Sequence, residues 1–317
     1  MRLKLDLRPP TRESIVDAGV EEDEAVTIDD AVETAEWRPI APAPPARVPL
    51  LTFVDGVQQV HARIFAESES GIWPTAGIVA SCAAAAVSPW AEAPFQFERI
   101  ERRVILGNGE LPPPVTVAAH SGTYDFAPSS AAGTEPVALD QKLNQLRADL
   151  ELMVVHDALE HLPGIIVVDG RLPPVVSPRA VGLIKTPHRI ELTKKTHTSV
   201  LMTLERGHRT PLYKVERSER TFYRWFVCLR TAGPWDIAQQ GLAVLEMDDT
   251  ASLEEAIEVA NCTAAALCGY ASSPARDARA PQNLLPVGRL EDWLRRRLGD
   301  SDFLRRRLGE AFREMAA

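Results

Sequence analysis

Two short segments, Phe53-Val54-Asp55-Gly56 and Val167-Val168-Asp169-Gly170, each carry an apolar run straight into an Asp-Gly pair. Runs of β-branched and aromatic residues read as buried strands, and an Asp at the end of one stands where a sheet opens to solvent. The Gly that follows permits a sharp turn and the close approach of a ligand. Two such ends side by side would offer paired carboxylates to a divalent metal. Asp-Gly is also the commonest short turn signal, and each segment taken singly reads as a plain turn.

The chain has 317 residues, 45% of them hydrophobic, enough for a substantial core in one large or two small domains. Residues 1–7 run into Arg8-Pro9-Pro10 without the apolar stretch of a signal peptide, and the Ala-rich run 76–87 is too short to span a bilayer. These features predict a soluble, cytoplasmic protein without membrane contact. Cys82, Cys228, Cys262 and Cys268 lie in apolar surroundings without Cys-x-x-Cys spacing, which predicts reduced core thiols rather than a zinc site or disulfides.

A net charge of −9 argues against a nucleic-acid enzyme until its distribution is considered. Residues 13–36 hold ten acidic side chains and no Lys or Arg, and without them the net charge is +1. The span 185–230 has eleven Lys and Arg against four Glu. Such asymmetry suggests an acidic arm for a partner or for self-masking, and a basic surface for a polyanion. Five prolines between Trp37 and Leu50 mark a semi-rigid linker. The predicted organisation is therefore an acidic arm and linker over 1–47 and a folded body over 48–317.

Within the body, 49–67 reads as a strand, a turn and a second strand, followed by strands near 77–86 and 101–106. A Pro/Ser/Gly-rich loop occupies 111–136. Leu139, Leu143, Leu146, Leu150 and Met153 or Val154 then recur at helical spacing, predicting an amphipathic helix over 137–161 that leads into a buried strand at 165–168. Further strands are predicted at 199–205, 211–216, 221–229 and 241–247, and helices at 252–266 and 287–315, the last broken near Gly299. The class is mixed α/β. No Walker-type phosphate loop is present, so any ATP hydrolysis must come from another protein.

A two-metal nuclease needs three or four oxygen ligands around Mg²⁺ or Mn²⁺, so two Asp do not suffice. Glu151 adjoins the apolar stripe at Leu150, at the boundary of core and solvent, and is the third candidate, with Asp149 as fallback. A surface helix glutamate is its plain reading. In the basic span, Lys185 follows Asp169 closely enough to hold a scissile phosphate, and Arg189, Lys194, Lys195, Arg206 and Arg209 could track a DNA backbone. Tyr223 and Trp225 alternate with arginines and read either as base-stacking residues or, more simply, as core aromatics.

Taken in order, these residues resemble the NurA nucleases. The resemblance is carried by the strand ending at Asp55-Gly56, the helix bearing Glu151, the strand Ile165-Ile166-Val167-Val168-Asp169-Gly170, and Gly182-Leu183-Ile184-Lys185 in the place of that family's Gly-x-x-Lys segment. It covers residues 48–300 and implies an RNase H-like core, a mixed sheet flanked by helices. It implies Asp55, Glu151 and Asp169 as ligands of Mn²⁺ or Mg²⁺, and Tyr270 in the place of the family's Tyr. The family's later His has no counterpart, since no histidine follows His208; Asn283 or Asp277 would supply an oxygen instead. It further implies a homodimer that cleaves DNA with a HerA-type hexameric ATPase, in DNA-end resection or anti-phage defence, with the acidic arm as a docking candidate. Two alternatives stand beside it: a non-catalytic partner subunit that keeps the docking surface, and an RNase H-like enzyme acting on RNA/DNA hybrids.

Overall fold

The computed structural model describes residues 1–6, 26–43, 47–67, 74–119, 122–185, 192–217, 220–230, 241–273 and 280–315. Its centre is an antiparallel meander of β3 (Leu51–Glu67), β4 (Thr75–Val87) and β5 (Phe95–Leu106). The chain then forms helix α1 (Pro136–His161) and returns as β8 (Ile165–Asp169), parallel to β3, followed by β9 (Ala180–Ile184), parallel to β8. Pro136 opens α1 where its missing N–H costs nothing. The helix ends at Leu162, and Gly164 adopts φ 84° so that Ile165 N–H can reach the Leu50 carbonyl at 2.9 Å. A Cβ at Gly164 would run into that carbonyl, so this turn, which delivers β8 to β3, demands glycine.

Antiparallel strands extend the sheet beyond β9. They are β12 (Leu242–Asp248), β11 (Arg220–Cys228), β10 (Tyr213–Arg217) and β2 (Thr27–Asp29). On the other side β7 (Gly122–Ser130) pairs with β5 and carries β6 (Val115–Ala119), while β1 (Arg2–Leu5) pairs with the far end of β3. The twelve strands form one mixed sheet.

Strand alternation assigns the two faces. Val54, Cys82, Ala84, Ile166 and Val168 pack beneath α1 through Leu143, Leu150, Val154 and Ala158. Phe53, Ala83, Ala85, Val167, Leu183 and Leu245 face the opposite way, beneath α3 (Leu253–Leu267) and α4 (Leu285–Leu298). Ser252 begins α3 with a capping box, its hydroxyl accepting from Glu255 N–H while the Glu255 carboxylate accepts from Ser252 N–H. Helix α5 (Ser301–Glu314) covers β1 and β6, and α2 (Lys195–Thr203) packs near β10 to β12. No helix among the described residues is long and apolar enough to cross a membrane.

Four sequence expectations change. Segment 51–67 is one continuous strand with a bulge between Val60 and Ala62, so Asp55-Gly56 lies inside a strand and not at a turn. The 111–136 loop contains β6 and the whole of β7, and 199–205 belongs largely to α2 rather than to a strand. Finally, the sheet takes in β1 and β2, both of which precede the expected start of the body at residue 48. Asp29, Asp30, Glu33 and Glu36 of the acidic arm lie within the described strap 26–40, whereas the six acids at 13–24 lie outside the described residues.

Candidate metal centre

The register of β3 and β8 brings the acidic residues together. Leu51 pairs with Ile165 and Val54 with Val168, so one further step sets Asp55 beside Asp169. Alternation gives both side chains the face of Phe53 and Val167, beneath α4. There Glu291 enters from the helix, its neighbours Leu290 and Leu294 buried on the sheet. One carboxylate oxygen from each of Asp55, Asp169 and Glu291 lies within 4.8 Å of the others. Lys185, two residues beyond Leu183, the β9 partner of Asp169, donates to Asp169 Oδ2 at 2.6 Å and to Asn283 Oδ1 at 2.8 Å. On the outer side, Arg295 Nη2 approaches Glu291 Oε2 at 3.3 Å.

The three carboxylates crowd like charge together. Burial, with Asp169 and Glu151 nearby, holds the Asp55 carboxyl well above the ordinary carboxylate range, although Lys185 opposes the shift. A dication between the three carboxylates would relieve this repulsion, and carboxylate oxygens are the donor type that hard divalent ions take. The neighbouring loop is tied down from below. Glu246, wholly buried, accepts from Leu172 N–H at 2.8 Å and from Arg224 Nη2 at 2.7 Å, fixing the backbone three residues after Asp169.

Glu151 stands apart from this cluster. It rises from α1 on the opposite face of the sheet, into the space left by the missing side chain of Gly56, and pairs with Arg147 at 2.8 Å. Burial raises its pKa to about 6 against the opposing effect of Arg147. Its charge still reaches Asp55, but the third member of the close carboxylate group is Glu291. Asn283 is buried and engages Lys185. Tyr270 is half-buried, its ring edge-on to Phe53 at 5.2 Å between centroids.

The residues expected to track DNA fall in different environments. Arg209 is fully buried and forms a bidentate ion pair with Glu33 at 2.8 Å, so its place on a DNA path is corrected to the interior. The reason is the strap, which no local pattern around residue 209 announces. Arg206 donates to the Cys268 carbonyl, Lys194 pairs with Asp30, and Lys195 is exposed. Tyr223 and Trp225 are buried, as core aromatics. Arg189 and Asp277 lie outside the described residues. All four cysteines are free thiols, three of them buried.

Sequence reasoning missed Glu291 and Glu246. The signal for Glu291 was available only as its four-residue spacing from Arg295, which in an arginine-rich helix reads as a surface pair. No protein-family model matches the chain, and no curated protein matches it either.

Proposed function

We propose that this protein is a metal-dependent DNA nuclease of the NurA type, with Asp55, Asp169 and Glu291 holding Mn²⁺ or Mg²⁺. The observation that carries the reading is the convergence of these three carboxylates within 4.8 Å on one sheet face. The core order β5-β4-β3-β8-β9, an antiparallel meander extended by two parallel strands with α1 crossing between, supports an RNase H-like description.

Asp55, Asp169 and Glu291 would hold the divalent ion, which when bound would supply Lewis-acid activation of water and charge neutralisation at the scissile phosphate. The chain supplies the rest. Lys185 is held by Asp169 and Asn283 at the side of the site, where its ammonium can meet a phosphate oxygen. Glu246 keeps the Asp169 loop in place, and Phe53 and Tyr270 close the apolar flank. Glu151 acts from the far face, as a charge that sharpens the demand for a cation at Asp55. In this proposal the protein works as a homodimer with a HerA-type hexameric ATPase, as the resemblance implies.

The test is Mn²⁺ uptake followed by calorimetry, alongside cleavage of single-stranded and blunt linear DNA. Asp55→Ala, Asp169→Ala and Glu291→Gln should each weaken uptake by tenfold or more and abolish cleavage, as expected when a ligand is lost, by analogy with the 10–100-fold loss on removing outer-shell partners. Glu151→Gln should keep uptake within a few fold. Uptake lost in Glu151→Gln and retained in Glu291→Gln would overturn this ligand set. Uptake without cleavage, with or without an ATPase, would favour the non-catalytic partner.

A further inference from the structure

We infer that Arg295 is a phosphate-binding residue at the entrance to the metal centre, taking a phosphodiester oxygen of the nucleic acid; the inference rests on the nuclease reading above. Lys185 and Arg295 each contact the carboxylate cluster. Lys185 lies on the sheet side, its side chain only 17% exposed and engaged by both Asp169 and Asn283. Arg295 lies on the solvent side, with its side chain 58% exposed and its approach to the cluster a 3.3 Å contact with the 8% exposed Glu291.

Helix geometry explains the difference. Val287, Leu290, Leu294 and Leu298 of α4 face the sheet, and Glu291 stands at the margin of that buried stripe. One turn on, Arg295 stands outside the margin on the same flank. A guanidinium there can leave Glu291 without any rearrangement of the core. When Glu291 turns its charge to a dication, the attraction that holds Arg295 weakens, and an Arg fork is suited to bidentate contact with phosphate. The other exposed arginines of α4 serve this role less well. Arg297 is committed to Glu98 through two hydrogen bonds of 2.7 and 2.8 Å, and Arg289 and Arg296 lie on the outward ridge, away from the flank that Glu291 occupies.

The experiment measures binding of a fluorescein-labelled single-stranded oligonucleotide to the full chain in Ca²⁺ across a salt series, with Mn²⁺ uptake and Mn²⁺-dependent cleavage measured in parallel. The variants are Arg295→Ala, Arg295→Lys and, as a distant control on α5, Arg306→Ala. In Arg295→Ala, DNA affinity should fall about tenfold and the slope of log affinity against log salt should shrink by about 0.7, the loss of one phosphate contact. Mn²⁺ uptake should be preserved, because a competing cation has been removed from Glu291. Arg295→Lys should restore the slope but only part of the affinity, and Arg306→Ala should match the wild type. Unchanged affinity and slope in Arg295→Ala, or loss of Mn²⁺ uptake in that variant, overturns the inference and assigns Arg295 to holding Glu291. Failure of the wild type to cleave while the slope still depends on Arg295 overturns the nuclease reading and leaves the phosphate contact standing.

Discussion

Asp55 is the residue at which stability and proposed function oppose each other. Its side chain is buried on the strand, beside Asp169, with its Oδ1 accepting from Gly56 N–H at 2.8 Å. Because the fold raises its pKa, the metal-free native state binds more protons than the unfolded chain above the ordinary Asp value. Stability contributed by this group is therefore full below about pH 3.8 and is lost as the pH rises through the native value. Asp55→Asn should remove that loss and raise the melting temperature of metal-free protein at pH 7. If the proposed site holds Mn²⁺, the ion should stabilise the wild type and the same variant should lose that stabilisation. Thermal melts with EDTA and with Mn²⁺ over pH 5 to 8 check both expectations, and an asparagine variant less stable than wild type in EDTA contradicts them. Asp55 and Asp169 are legible in the sequence because a buried strand must be apolar, so a carboxylate that follows one stands out. Glu291 is not legible, because its burial follows from how α4 docks on β3 and β4.

At the scale of elements, the contact of α1 with β3 depends on a glycine in the middle of a strand. A Cβ at Gly56 would lie 2.9 Å from Glu151 Cγ and 3.0 Å from Arg147 Cγ, stem atoms that cannot move aside without shifting the helix. Gly56→Ala should destabilise the protein by about 1–3 kcal/mol, the usual range for overpacking. Asp55 points to the other face, so Mn²⁺ uptake by the folded variant should survive, and calorimetry on protein purified at low temperature would show it. Destabilisation with uptake retained would separate the two faces of the sheet as functional units. The same glycine shows how sequence reading singled out two aspartates that the fold does bring together, through a wrong local structure. Asp-Gly reads as a turn, yet here Gly56 admits a side chain from a helix while the strand runs on for eleven more residues. Strands β6 and β7 were hidden in a Pro/Ser/Gly-rich stretch, and α2 in a Thr/Val-containing one, because sheet neighbours and buried contacts outweighed local preference there.

Across the whole molecule, the strap 26–40 ties the acidic region to the far edge of the sheet. Glu33 accepts from both Arg209 Nη atoms at 2.8 Å and from Leu212 N–H at 2.7 Å, while Arg209 Nε donates to Asn261 Oδ1 on α3 at 2.7 Å. Burial pushes the Glu33 carboxyl up, but these hydrogen bonds and the guanidinium outweigh it and leave its pKa below the ordinary value. Its stability contribution is therefore present above about pH 4.5 and is lost as the pH falls through the native value. Glu33→Ala strands a buried guanidinium and should cost about 3–5 kcal/mol, whereas Glu33→Ala with Arg209→Met should recover much of it. Urea unfolding at pH 7 measures this cycle, and an additive double variant would mean that the pair is not coupled. This anchoring also decides how the proposed docking role of the acidic arm has to be tested. Removing residues 1–40 would take away β1, β2 and the Glu33 pair together, and lost binding to the ATPase would then report a damaged sheet. Neutralising Glu13, Asp17, Glu21, Glu22, Asp23 and Glu24 to Gln or Asn leaves the strap intact. That variant should melt with the wild type and lose ATPase binding, and undiminished binding would assign docking to another surface.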